Sequence, residues 1–107
     1  MIGLTRENNW LPASIPYGWG NGYVIIPKGH SLYGIDYEDI DVNIHGGLTY
    51  GSSISESQQL DIPKEVEDGW VVGFDTLHYL DTQSIWTKAA VEAEVENLKQ
   101  QLLHYGE

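Results

Sequence analysis

Short apolar runs alternate along the chain with longer polar, glycine-punctuated stretches, and the period of each run names an element. Tyr23-Val24-Ile25-Ile26 is continuous and mostly β-branched, and Pro27 closes it, which predicts a buried strand. From Ile40 the period becomes two. Ile40, Val42 and Ile44 fall on one side and Asp41, Asn43 and His45 on the other, the pattern of a half-buried strand. Gly46-Gly47 breaks it as a hairpin turn or bulge, and Leu48-Thr49-Tyr50 resumes extended chain. Gly69 to Asp75 is apolar at nearly every position, so this strand is expected to be covered on both faces. Val91, Val95, Leu98 and Leu102 recur at i, i+4, i+7 and i+11, one stripe of a helix spanning about 86–105. Thr87 or Ser84 can cap it, and Glu92, Glu94 and Glu96 in its first half suit the helix dipole.

Between these elements the chain reads as loop. Residues 1–21, broken by Pro12, Pro16, Gly18 and Gly20 and carrying Trp10, Tyr17 and Trp19, are expected to be an irregular, aromatic-rich segment. Lys28-Gly29-His30 is a turn, 31–39 a polar loop, 51–68 a surface loop with one short helical turn, and 76–85 another loop. Neither repeats nor sustained heptads are present. The whole, residues 1–107, is expected to be one α+β domain: a small antiparallel or mixed β-sheet with a C-terminal amphipathic helix packed on it.

Composition narrows what such a domain can do. Five Lys and Arg stand against sixteen Asp and Glu, a net charge of -11. Nucleic-acid affinity rests on basic side chains displacing counterions, so DNA and RNA are not expected as ligands. The absence of cysteine excludes disulfides, thiolate metal sites and thiol nucleophiles, and fits a reducing compartment. The first nine residues lack a basic stretch followed by an apolar run, so no signal peptide is expected. No apolar run exceeds four residues, so no membrane span is expected either. Phosphate loops, dinucleotide fingerprints and Gly-x-Ser-x-Gly elbows are missing, and Arg6 is the sole arginine.

Candidate chemistry gathers at strand ends. His30 follows the first apolar strand, His45 ends the second and His78 follows the third. Asp75, His78 and Asp81 are spaced by three, which in a turn or helical loop brings their side chains to one side. With His45, Asp75, His78 and Asp81 as ligands, imidazole and carboxylate would suit zinc, iron or manganese, and an open coordination position would make a metal-dependent hydrolase. Alternatively His45, Gly46, Gly47, Tyr50, Asp75, Thr76 and His78 line a pocket for a small polar ligand. There aromatic rings would stack on a flat base and the glycine N–H groups would receive an anion. The same residues also have a purely architectural reading: Asp75 capping the 76–78 turn, the histidines half-buried and satisfied, and the glycines a turn. Trp70 and Phe74 are assigned to the core; Trp10, Trp19 and Trp86 are left open.

Several of these pieces recur together elsewhere. Gly22-Tyr23-Val24, Pro27-x-Gly29-His30 with Gly34, His45-Gly46-Gly47-Leu48-Thr49-Tyr50 and Trp70-x-x-Gly73-Phe74-Asp75-Thr76-x-His78-x-x-Asp81 are the motifs concerned. On them the chain resembles an uncharacterised family of small proteins encoded by bacteriophages and prophages, over roughly residues 22–104 with 51–68 unmatched. Leu77 and Leu80 stand where small residues are usual in that family, which implies a less open loop. The resemblance implies viral origin and action in the host cytoplasm as an accessory, anti-defence factor. The leading expectation is a non-enzymatic protein that binds a small polar ligand, a nucleotide-type immune signal among them. A metal-dependent hydrolase is the first alternative. An acidic inhibitor or DNA mimic that binds a host defence protein through the acids of 36–41 and 56–68 is the second. Homodimerisation through the C-terminal helix is open to any of them.

Overall fold

The computed structural model describes residues 1–12, 14–66 and 68–107; Ala13, and Glu67 among the acids of the 56–68 stretch, lie outside the described residues. Its elements are β1 (Ile2–Glu7), β2 (Gly20–Ile26), β3 (Tyr50–Ser53), β4 (Trp70–Phe74) and the helix α1 (Lys88–Leu103), with a single 3-10 turn at Tyr37–Asp39. The four strands form one antiparallel sheet in the order β1-β2-β4-β3. The two apolar runs of the sequence are its central pair, aligned so that Val24 faces Val72 and Ile25 faces Val71.

Central strands need cover on both faces, and each face has its own. On one, Val24, Ile26, Val72 and Phe74 meet Val91, Val95, Leu98 and Leu102, the predicted helix stripe, with Leu32, Ile40 and Ile44 closing the side. On the other, Tyr23, Ile25 and Val71 meet Leu60, flanked by Leu4, Ile54, Ile62 and Val66. Residues 54–66 are therefore the lid of a second small core. Thr87 caps α1, its hydroxyl accepting from the Ala90 amide at 3.1 Å. The α+β architecture stands as expected. Among the described residues no helix is long and apolar enough to cross a membrane.

Two expectations need correction. Residues 1–21 are not irregular throughout, because Ile2–Glu7 form an edge strand paired with β2. Only one edge of that strand is paired and its faces are largely exposed, so its apolar alternation is too weak to announce it. Residues 40–45, read as a strand, belong to no sheet, and His45 already lies in a turn. The period of two is real, since Ile40 and Ile44 are core residues. The backbone groups that a neighbouring strand would satisfy are instead met by side chains of α1 and its C-terminal cap. The Asp41 amide donates to the Tyr105 hydroxyl at 3.0 Å, the Asn43 amide to Gln101 Oε1 at 2.8 Å and the His45 amide to Glu94 Oε2 at 2.9 Å. Gln101 also returns its Nε2 to the Asn43 carbonyl at 2.9 Å, so one side-chain amide imitates a strand neighbour.

Candidate functional site

Two turns, far apart in sequence, face each other at the end of the sheet. The first closes with the Gly47 amide donating to the Ile44 carbonyl at 3.1 Å and carries His45 at its second position. The second closes with the Asp81 amide donating to the His78 carbonyl at 2.9 Å. Each needs a positive φ at its third position, the place where a type II turn favours glycine. Gly46 supplies it in the first turn (φ +69°) and, against preference, Leu80 in the second (φ +73°). Gly46 has a further reason to be glycine: a Cβ there would lie 2.4 Å from His78 Cε1.

Asp81 is the hub between the turns and is only 4% exposed. Its Oδ1 accepts from His45 Nε2 at 2.9 Å. Its Oδ2 accepts from the His78 amide at 2.9 Å and from His78 Nδ1 at 3.0 Å, and lies 3.1 Å from His45 Nε2. Burial pushes the Asp81 carboxyl up, but these hydrogen bonds outweigh it and hold the group below the usual carboxylate range. The two imidazoles meet edge to face, centroids 5.1 Å apart, and Trp86 lies over His45 at 4.2 Å. The backbone of Trp86 is itself fixed, its carbonyl accepting from the Trp19 amide and its amide donating to Thr82.

The arrangement can do one thing that its parts cannot. His45, His78 and Asp81 each offer a ligand atom, and the three lie within 4.8 Å of one another. Two donors about 2.1 Å from one ion stand about 3.0–3.4 Å apart at the angles of octahedral or tetrahedral coordination. The His–Asp spacings of 2.9 to 3.1 Å are close to the octahedral end of that range. Asp75 is not in this ring. Its Oδ1 lies 3.6 Å from Nε2 of His78, the nitrogen facing away from Asp81, and accepts from the Leu77 amide at 3.1 Å. At 3.6 Å that pair is beyond hydrogen-bond distance, so Asp75 stands beside the cluster without a bond to the imidazole.

Other residues expected at the site stand elsewhere. Tyr50 packs edge to face on Tyr23, with its hydroxyl on Ser57, in the core of the opposite sheet face. Thr76 is fully buried and donates to the Gly20 carbonyl at 2.7 Å, tying the loop to β2. A Cβ on Gly47 would meet nothing within 4 Å among the described residues. His30 accepts from the Leu32 amide in its own turn. Conversely, sequence reasoning left Trp86 open and gave Glu94 the wrong task. No acid lies in the first turn of α1, where the dipole acts, and Glu94 anchors the His45 backbone instead. Beside the cluster lies a hollow of about 430 Å³ lined by Ile15, Pro16, Leu77, His78, Leu80 and Thr82, with Tyr79 at its rim. Compared with family models, with curated proteins and with solved structures, the chain matches none.

Proposed function

We propose that the protein captures a divalent transition-metal ion on His45 Nε2, His78 Nδ1 and the Asp81 carboxylate, and through it binds a small polar ligand bearing oxygen donors. The convergence of two imidazole nitrogens and a carboxylate oxygen within 4.8 Å carries this reading. Two imidazoles and one carboxylate suit zinc, cobalt, manganese or iron, and three protein ligands leave coordination positions open. Electrostatics points the same way. A chain of net charge -11 with one arginine has little of its own to hold an anion, and a bound cation would supply the missing charge.

Binding is favoured over hydrolysis. A hydrolase needs a base within hydrogen-bond reach of the activated water. Asp75, the carboxylate beside the cluster, already accepts the Leu77 amide through its Oδ1. Joined to the resemblance to small phage proteins, this describes an accessory factor acting in a host cytoplasm on a nucleotide-type signal, whose phosphate oxygens would take the open positions.

Calorimetry and thermal melts with Zn²⁺, Co²⁺ and Mn²⁺ test the metal. One equivalent should bind, and free metal at a hundred times Kd should stabilise the fold by about 2.7 kcal/mol. Asp81→Ala should lose both effects. Titration of the loaded protein with cyclic and ADP-ribose-type nucleotides then tests the ligand. No stoichiometric metal, with Tm unmoved, would remove the proposal.

A further inference from the structure

Leu80 is in the wrong conformation for a leucine and in the wrong place for an apolar side chain. Its φ is +73°, the left-handed region, while its side chain is 73% exposed. Glycine would meet the turn's backbone requirement without strain, and a polar residue would meet the solvent. A non-glycine residue held there is strained, and such strain clusters at functional sites. Leu80 shares the wall of the 430 Å³ hollow with Leu77, Ile15 and Pro16, and the hollow's remaining wall includes His78, one of the three cluster residues. Its volume is that of a small-molecule site.

We infer that this hollow is the specificity pocket of the site, and that the ligand is amphiphilic: an oxygen-donor head for the metal and a flat apolar body, of aryl or nucleobase size, lying against Leu77 and Leu80. The inference rests on the metal-binding reading. Leu80 is the specificity-determining residue, and its strained backbone is what holds the side chain over the hollow. Apolar bodies gain affinity there through buried area, whereas a ligand with the same head and no body gains nothing from it.

The test uses the full chain loaded with Co²⁺, whose visible spectrum reports ligands entering the coordination sphere, and two phosphate monoesters of equal charge, methyl phosphate and phenyl phosphate. Phenyl phosphate should bind wild type about tenfold more tightly, the effect of burying roughly half a ring face. Leu80→Gly should cut that preference below about threefold and raise Tm, because it relieves the strain while removing the wall. Leu77→Ala should also cut the preference without raising Tm. Equal affinity of the two esters for wild type, an intact preference in both variants, or a lower Tm in Leu80→Gly would overturn the proposal. If methyl phosphate perturbs the Co²⁺ spectrum and the ring adds nothing, the specificity pocket fails while the metal centre stands. If Co²⁺ gives no site spectrum, both fall.

Discussion

The two glycines after His45 form a matched pair that separates backbone strain from site geometry. Gly46 and Gly47 have nearly the same left-handed φ, +69° and +75°. Alanine at either position costs about 1–2 kcal/mol for that backbone alone. The surroundings differ: a Cβ on Gly46 would sit 2.4 Å from His78 Cε1 and 2.5 Å from Nε2, whereas on Gly47 it would have nothing within 4 Å among the described residues. Gly46→Ala must therefore push the His78 ring aside. The ring is partly exposed, so it can swing outward, giving up its 3.0 Å bond to Asp81 and its packing on His45. That loss adds about 1–2 kcal/mol. In urea unfolding Gly47→Ala should lose about 1–2 kcal/mol and Gly46→Ala about 2–4, with Tm falling about 4–8 °C per kcal/mol in a domain of this size. Calorimetry supplies the sharper contrast. Gly46→Ala should weaken Zn²⁺ binding at least about tenfold, equivalent to about 1.4 kcal/mol, while Gly47→Ala should bind as wild type does. Equal destabilisation of the two variants, with Zn²⁺ affinity unchanged in both, would refute the contact between Gly46 and His78 and its place in the site.

Other consequences can be checked separately. Leu98→Ala, at a fully buried position between α1 and the sheet, should cost about 2–5 kcal/mol in urea unfolding. Glu94→Ala should lower both stability and Zn²⁺ affinity by releasing the His45 amide, whereas Glu94→Gln, which keeps an acceptor oxygen, should restore most of each; indistinguishable variants would remove Glu94 from its anchoring role. The Tyr33 hydroxyl donates to Asp68 at 2.7 Å and, as the largest cause, holds that carboxyl below its ordinary range. Its favourable contribution is full above the unfolded value of about 3.9 and is lost as pH falls through the lower folded value. Tyr33→Phe should move the Asp68 titration, followed by carboxyl NMR, upward toward that value; an unmoved titration would contradict the assignment.

What could be read from the residues alone was what depends on local pattern. Val91, Val95, Leu98 and Leu102 are all buried, as their spacing requires, and the apolar runs at 23–26 and 70–74 are the central strands. The spacing of three does bring His78 to Asp81 but leaves Asp75 outside the ring, and His45 joins them from a turn and not from the strand end expected to carry it. The partners of residues 40–45 were not legible, because alternation reports which side is buried and says nothing about what satisfies the backbone between. Glu94 and Trp86 escaped for the same reason. Their roles exist only through contacts distant in sequence, 49 residues away for Glu94 and with His45 for Trp86, with no local period to mark them. Tyr50 and Thr76, within a few residues of His45 and His78 in sequence, make interior contacts instead.

The side-chain rungs that hold residues 41, 43 and 45 climb α1 from its C-terminal end inward: Tyr105 beyond the C-cap, Gln101 in the last turn and Glu94 near the middle. Helix ends open far more often than helix centres. The segment is thus a zipper whose teeth part from one side, and deuterium should enter the Asp41 amide first, Asn43 next and His45 last. Breathing at the helix terminus would leave the imidazole of His45 at its post.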